Sequence, residues 1–319
     1  MPPHQYCPAC GAETNHLRLW SKNGCQILKC GDCGLGSAVA HSFDPLSYYT
    51  EAYFDGTRTD GYADYVESEP VIRNEFRRIV SNLRRRIPAG KLFEIGAAYG
   101  FFLTEAKPYY EVHGIEIAEE AAAFARLGDL DVQSGPVTKD AFEIIGPVDV
   151  IVMLDVIEHL EKPDLVLQLC SEYLKPGGVL LVTTGDFGSL FAQISGKSWR
   201  LMTPPQHLWY FTKHSVSQMA RRFGLLTEQF EHPWKQVPLT LIIFQLGRMA
   251  GIKLPLHRLS LLSRLGLPIN LFDALRVTFR KPRNEPAPSI ASPEWQRGRS
   301  AGVGSGHDPG TSASMSAWM

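Results

Sequence analysis

Between Lys91 and Thr184, short apolar runs alternate with amphipathic segments, and this alternation predicts a repeating strand–helix pattern. The run DVIVML at 149–154 is apolar throughout, which fits a strand buried on both faces of a parallel sheet. Strands are predicted at 92–95, 112–116, 131–133, 149–154 and 179–184, with helices beginning near 101, 118 and 163. Elements that alternate at this spacing form right-handed βαβ units, so we expect an α/β fold with a doubly wound, Rossmann-like, mostly parallel sheet.

The segment before this core predicts one amphipathic helix. Apolar residues recur at helical spacing from Ile72 to Ile87, and Pro88 ends the pattern. Six arginines line its polar face, and we interpret them as a solvated surface because the rest of the chain is not basic.

The segments after the core change in character. An aromatic and proline-rich loop at 185–211 precedes a predicted helix at 215–223 and a strand at 227–231. Apolar composition predicts a helical insertion at 239–271, and the alternating ALRVTFR at 274–280 predicts a last strand at the edge of the sheet.

Four regions follow from these patterns. We expect a cysteine-rich head at 1–40, a connector with the leading amphipathic helix at 41–88, the α/β domain at 89–282 and a disordered tail at 283–319. The head is too short to form a stable core without disulfide bonds or a bound metal ion.

The charge of the chain excludes a strong electrostatic attraction to nucleic acid or to an anionic membrane. Its 319 residues include 32 basic and 33 acidic residues, a formal net charge of −1. The start, MPPHQYCPAC, lacks a basic-then-apolar signal pattern, and the longest apolar run, at 239–246, is far short of the roughly 20 residues of a membrane-spanning helix. We therefore expect a cytoplasmic protein without a transmembrane segment.

Four of the six cysteines form two Cys-x-x-Cys pairs, Cys7 with Cys10 and Cys30 with Cys33. In a reducing compartment such a double pair predicts a tetrahedral thiolate site for structural zinc rather than disulfides or thiol exchange. Neighbouring glycines suit the tight turns of zinc knuckles. The head is thus expected to be a small zinc ribbon, with scaffolding, acceptor recognition and partner docking as open roles.

The stretch LFEIGAAYGFF at 92–102 predicts a ligand-binding turn at the end of a strand. Its spacing, Gly96-x-Ala98-x-Gly100, differs from the Gly-x-Gly-x-x-Gly of dinucleotide sites, and Glu94 would repel a pyrophosphate. The same carboxylate would attract the amino group of a methionine moiety. Glu116, which closes the second strand, is placed to accept both hydroxyls of a ribose. The pattern favours S-adenosylmethionine as the ligand.

With these residues, the chain resembles the class I S-adenosylmethionine-dependent methyltransferases. EIGAAYG resembles the first motif of that family, GIE the second, and DVIVMLDVIEHLEKP with LKPGG the fourth and the post-fifth segments. The CPxCG…CxxCGL head and the PQHLWYFT loop resemble a subgroup that methylates small metabolites, lipids and sugars. The resemblance implies a seven-stranded sheet and a set of cofactor-binding residues, namely Glu94, Gly96, Ala98, Gly100, Glu116, Ile117 and Leu154.

The chain departs from the family pattern at two places. Ala98 stands where glycine is usual, and its methyl group predicts a turn with negative φ at that residue. The acidic residue that often meets adenine after the third strand is replaced by Gly135-Pro136-Val137, so we expect backbone groups and apolar walls to hold the adenine.

Catalytic candidates leave the fourth strand in LDVIEH, where Asp155, Glu158 and His159 would face the methyl group. The pattern resembles the Glu-x-x-Glu-His of ubiquinone-pathway and small-RNA methyltransferases, which use a divalent ion; a catalytic metal and a merely structural role for His159 both stay open. In the PPQHLWYF loop, His207 is the candidate general base, with a hydrogen-bonded core histidine as the alternative. Trp199, Trp209 and Tyr210 would offer flat apolar surfaces to the acceptor.

The favoured function is methyl transfer to a small-molecule, sugar or lipid acceptor. One alternative is an RNA methyltransferase whose zinc ribbon grips RNA, although the head carries a net charge of only +1 (three basic against two acidic residues). The other is a non-catalytic binding protein on the same fold. The insertion at 239–271 could be a lid, a peripheral membrane contact or a dimer face, and we favour a lid or packing role.

Overall fold

The computed structural model describes residues 4–39, 65–240, 242–243 and 265–283. Its centre is a seven-stranded sheet, which confirms the predicted Rossmann-like α/β fold. The strands of the chain are β1 His4–Cys7, β2 Ala12–Lys22, β3 Cys25–Cys30, β4 Gly36–Val39, β5 Gly90–Ile95, β6 Tyr110–Glu116, β7 Asp131–Ser134, β8 Val148–Leu154, β9 Leu174–Gly185, β10 Trp209–Tyr210, β11 Leu226–Glu231, β12 Lys235–Pro238, β13 Gly266–Ile269 and β14 Ala274–Arg280. The helices are α1 Glu69–Arg86, α2 Phe101–Ala106, α3 Glu119–Leu127, α4 Lys139–Ile145, α5 Pro163–Tyr173, α6 Leu190–Ser195 and α7 Lys213–Arg222, with short 3₁₀ turns at Ile157–His159 and Gly196–Ser198.

The strand order of the central sheet is β11-β14-β9-β8-β5-β6-β7. Strand β5 pairs in parallel with β6 on one side and with β8 on the other, so the order reverses at β5. Ligands of doubly wound sheets bind beyond the carboxyl ends of the strands at such a reversal. The glycine turn after β5 lies there.

Helices cover both faces of the sheet because side chains of successive strand residues point to opposite sides. One core joins Leu92, Val150 and Val152 to apolar residues of α1, α2 and α3. The other joins Phe93 and Ile151 to apolar residues of α4, α5 and α7. Continuous apolar strands thus fill two cores at once, as the run DVIVML predicts.

The predicted edge position of the last strand is wrong, and one central strand begins earlier than predicted. Strand β14 is not at the edge, because it pairs antiparallel with β9 and with β11, and its residues from Ala274 to Phe279 are buried. Strand β9 begins before the predicted 179, because Lys175-Pro176-Gly177-Gly178 lies within it; Gly177 there has φ +82°, and Gly178 packs too closely on Leu174 for a larger residue. Tertiary pairing partners, which the local pattern does not contain, decide both features.

The head forms a second sheet, in the order β1-β2-β3-β4-β10. Its last strand, β10, comes from the proline-rich loop of the main domain. Cys7, Cys30 and Cys33 are buried in the same core as Val216 and Met219 of α7. The head therefore packs directly onto the α/β domain.

Several predicted regions fall outside the described residues. These are the connector at 41–64, most of the insertion at 239–271 and the tail beyond 283. At the insertion's far end the helix prediction is wrong, because 266–269 is a strand that pairs with β12. No helix within the described ranges is long and apolar enough to cross a membrane.

Candidate functional site

The turn after β5 is held by backbone hydrogen bonds to the neighbouring strand. The amides of Gly96 and Ala97 both donate to the carbonyl of Ile115, at 2.8 Å and 3.0 Å. Gly96 has φ +77°, and a Cβ there would lie 2.4 Å from a methyl group of Val156. A glycine is therefore required at position 96 for both conformation and space.

Ala98 corrects the prediction of negative φ at this turn, because its φ is +45°. Its amide donates a 2.7 Å hydrogen bond to Oε2 of Glu116. A charged acceptor makes this a strong hydrogen bond, and it offsets part of the cost of left-handed backbone at a residue with a Cβ.

Glu116 is buried and holds the turn together. Besides Ala98, its Oε1 accepts a 2.9 Å hydrogen bond from the amide of Ala118, where α3 begins. Burial raises the pKa of Glu116, while the amides of Ala118 and Ala98 act in the opposite direction. A carboxylate has about four lone-pair positions, so it can accept ribose hydroxyls while keeping these two amide donors.

Glu94 is a second buried carboxyl group beside the glycine turn. Its side chain is buried, and Oε2 has no hydrogen-bond partner among the described residues. Burial raises the pKa of Glu94 well above its usual value, and the neighbouring charge of Glu116 adds to the rise. A buried carboxylate without a partner is costly, and a bound cation would satisfy it.

Both glutamates line one cavity of about 1500 Å³ above the carboxyl ends of the strands. The turn from Gly96 to Ala98, Ile117 and Leu154 line it as well, and Gly135 to Lys139 form one side. Gly100 is not among the lining residues. It has φ +76° and packs against Leu130 and Ala125, so its place is where α2 meets α3.

Farther along the cavity, Glu158, His159 and His207 come together. One ligand atom of each lies within 4.8 Å of the others, and the two imidazole rings meet edge to face with centroids 4.7 Å apart. Nδ1 of His159 bonds the carbonyl of Gln206 at 2.8 Å, and Nδ1 of His207 bonds the carbonyl of Leu201 at 2.7 Å. Because a carbonyl only accepts, both rings carry their proton on Nδ1 and present the Nε2 lone pair.

Burial disfavours the charged form of each group in this cluster. Burial lowers the pKa of His159 to about 4 and that of His207 to about 3, with His159 contributing to the second shift. Burial, with the charge of Asp155, raises the pKa of Glu158 to about 8. Two imidazoles with free Nε2 lone pairs and one carboxyl group, which would release its proton on binding, are a donor set that suits a divalent metal ion.

Asp155 is held in place by partners that the sequence pattern did not indicate. Its Oδ2 accepts a 2.9 Å hydrogen bond from Nζ of Lys235, and its Oδ1 accepts one from Thr183. Burial alone would raise the pKa of Asp155, but the charge and hydrogen bond of Lys235, together with the hydrogen bond from Thr183, outweigh it, so the pKa is lowered. Lys235 also lies 3.5 Å from Glu75 of α1, a long-range pairing that no local motif encodes.

Of the three aromatic residues expected at the acceptor, only Trp199 lines the cavity. Its Nε1 donates to Asp273, which also forms a bidentate pair with Arg200. Tyr210 is buried in the small core between the head and the loop. Trp209 donates from its Nε1 to the carbonyl of Leu160, so it fastens the loop rather than facing the cavity.

The four cysteines of the head converge as the double Cys-x-x-Cys pattern predicts. Sγ of Cys7 lies 3.5 Å from that of Cys33, and Sγ of Cys10 lies 3.8 Å from that of Cys30. A tetrahedral zinc site with Zn–S bonds of about 2.3 Å requires sulfur atoms about 3.8 Å apart. Each cysteine pair has a glycine at positive φ beside it, Gly11 and Gly34, whose amides bond the carbonyls of Cys7 and Cys30. The residues fit zinc.

Replacing Cys30 with serine is therefore expected to abolish zinc binding and to lower the melting temperature, because structural zinc supplies folding free energy. Metal content by mass spectrometry and calorimetric melting measure both effects. Cys25→Ser is the matched control, since Cys25 is buried in the same strand but stands outside the cluster. Equal zinc content in the two variants would contradict the site.

Comparisons with known proteins agree with this geometry. Residues 71–229, about half of the chain, match the family model of a methyltransferase domain. A ubiquinone biosynthesis O-methyltransferase of Bordetella avium is 28% identical over 160 residues, which cover 46% of this chain and 66% of that protein. One of Caulobacter vibrioides is 36% identical over 101 residues, covering 29% and 40%.

The chain thus spans less than two thirds of the length of these curated relatives. A solved magnesium protoporphyrin IX methyltransferase from Synechocystis, with a TM-score of 0.47 and 12% identity, covers 74% of this chain and 97% of its own. That likeness is too distant to add to the assignment. The family model, the strand order and the glycine turn together identify the chain as a member of the class I S-adenosylmethionine-dependent methyltransferases.

Proposed function

We propose that this protein transfers a methyl group from S-adenosylmethionine to a hydroxyl group of a small, largely apolar molecule. The observation that carries the proposal is the buried carboxylate of Glu94, whose Oε2 lacks a partner within the described residues and which lines the cavity beside the glycine turn. A cationic amino group is the natural counterpart of such a carboxylate. Glu116 would accept the ribose hydroxyls, and Gly135, Pro136 and Val137 would contact the adenine.

The acceptor is proposed from the far end of the cavity and from the names of the relatives. Trp199, Leu201, Met202 and Pro204 make that end mostly apolar. The curated relatives are named O-methyltransferases of ubiquinone biosynthesis, which favours a hydroxyl acceptor on a small molecule over RNA. A head that packs onto the domain and has little net charge also disfavours RNA binding.

Methyl transfer is an in-line displacement, so the protein must align the acceptor oxygen and keep water away from it. His207, whose ring presents the Nε2 lone pair, is proposed to take the proton of the hydroxyl group. Asp155, held by Lys235 and Thr183, is proposed to position the turn between β8 and the cluster rather than to act as the base.

A divalent ion is a second element of the proposal, supported by the donor set of Glu158, His159 and His207. Such an ion would lower the pKa of a bound hydroxyl group and so favour its ionised form. With the ion bound, His207 would be one of its ligands and would not serve as the base. The two roles of His207 are alternatives that experiment separates.

The test is transfer of isotope-labelled methyl groups from S-adenosylmethionine to a panel of hydroxyl acceptors that includes octylphenol and octylcatechol. Labelled methyl ethers identified by mass spectrometry are the expected product. Label that appears only on nitrogen or carbon acceptors, or on RNA, would contradict the proposed acceptor class.

A further inference from the structure

The cysteine-rich head contributes a strand partner to the loop that carries His207. Strand β10 begins two residues after His207 and pairs with β4, with Trp209 opposite Ser37 and Tyr210 opposite Gly36. The amide of Ala38 extends this pairing with a 2.8 Å hydrogen bond to the carbonyl of Leu208. The segment next to the candidate base is therefore one edge of the head's sheet.

The tip of the β2–β3 hairpin, residues 22–24, reaches the other end of the same loop. The side-chain amide of Asn23 donates a 2.8 Å hydrogen bond to the carbonyl of Pro204, and Nζ of Lys22 donates to the carbonyl of Lys197. Lys22 and Asn23 both line the catalytic cavity. Asn23 has φ +49°, a conformation that asparagine tolerates better than most residues.

On its opposite side, the loop is bonded to the segment that carries the other cluster residues. The amide of Leu208 donates to the carbonyl of Glu158 at 2.9 Å, and the His159 ring bonds the carbonyl of Gln206. The loop from 203 to 208 is neither helix nor strand, so its position depends on these two sets of partners. A change in the position of the head would therefore also change the position of the loop and of His207.

We propose that the head forms one wall of the acceptor site and that Asn23 is a positioning residue, which holds the His207 loop against Glu158 and His159. The head thereby acts on the acceptor half of the cavity. Glu94, Glu116 and the glycine turn, which form the cofactor half, make none of these contacts with it. A role of this coupling in catalysis rests on the proposed function. The structural coupling between the head and the loop does not depend on it.

The substitution Asn23→Asp tests the proposal, because it keeps size and tolerance of positive φ but replaces the donor with an acceptor that repels the Pro204 carbonyl. Backbone hydrogen exchange at 203–209 is expected to accelerate about 3- to 10-fold, the effect of one lost hydrogen bond. Zinc content and the affinity for S-adenosylhomocysteine should stay at wild-type values. With octylcatechol as acceptor, KM for the acceptor should rise by a similar factor while KM for S-adenosylmethionine stays constant.

Asn15→Asp is the matched control, since Asn15 is exposed on β2 and distant in the sheet from the hairpin tip. Asn23→Gly, which also fits positive φ, gives a second variant without the added charge. Unchanged exchange at 203–209 in both Asn23 variants would overturn the proposal. If the wild type methylates no acceptor, the exchange measurement still decides the coupling, and only the proposed function fails.

Discussion

Replacing Glu94 with glutamine is expected to weaken S-adenosylmethionine binding about 100-fold, measured by calorimetry. Removing the charge of one partner from a buried ion pair costs about 2–5 kcal/mol, and glutamine cannot balance a buried ammonium group. Glu120→Gln is the matched control, because Glu120 is exposed on α3 and does not line the cavity. If the two variants bind S-adenosylmethionine with similar affinity, Glu94 does not contribute to cofactor binding.

The same substitution has an opposite expected effect on the stability of the protein without added cofactor. Because burial raises the pKa of Glu94, the folded chain keeps a proton that the unfolded chain releases above the ordinary value of 4.5. The free energy of unfolding of the wild type should therefore fall as pH rises from 4.5 through the raised pKa. The glutamine of Glu94→Gln does not ionise, so this variant should not lose stability in this way. Its free energy of unfolding at pH 8, measured by chemical denaturation, should equal or exceed that of the wild type. The prediction has the wrong sign if the variant, compared with the wild type at each pH, becomes less stable as the pH rises.

Replacing His207 with alanine is expected to lower kcat about 10²- to 10⁴-fold while leaving the affinity for S-adenosylmethionine unchanged. His207 lies in the acceptor half of the cavity, with Glu158 and His159, and Glu94 and Glu116 form the cofactor half. His214→Ala serves as the matched control, since His214 is exposed on α7. Wild-type turnover in the His207 variant would show that this residue takes no part in catalysis.

Titration with Mn²⁺ separates the two roles of His207. If the residue is a metal ligand, wild-type turnover requires the ion, and His207→Ala loses most of its Mn²⁺ affinity by calorimetry. If it is a base, turnover does not depend on Mn²⁺, and the loss of kcat is the whole effect.

Local pattern was sufficient for most of the strands and helices of the central sheet. The apolar run 149–154 predicts β8, and the segment after Gly100 predicts the beginning of α2 at Phe101. The position of β14 was not predictable, because an alternating strand has the same pattern at an edge as between two partners. The positive φ of Ala98 was missed for a similar reason, since Glu116 stabilises it from another strand.

The residues of the candidate site also fall into two groups, those that the sequence predicts and those that only the structure brings together. By itself, the sequence determined the glycine turn with its two glutamates and the four cysteines, because the spacing of these residues along the chain already limits what they can bind. Only the tertiary structure decided that Glu158 and His159 meet His207, that Lys235 holds Asp155, and that the head's hairpin lines the cavity. Those contacts join residues far apart in the chain, and their distances depend on how strands and loops pack rather than on any short motif.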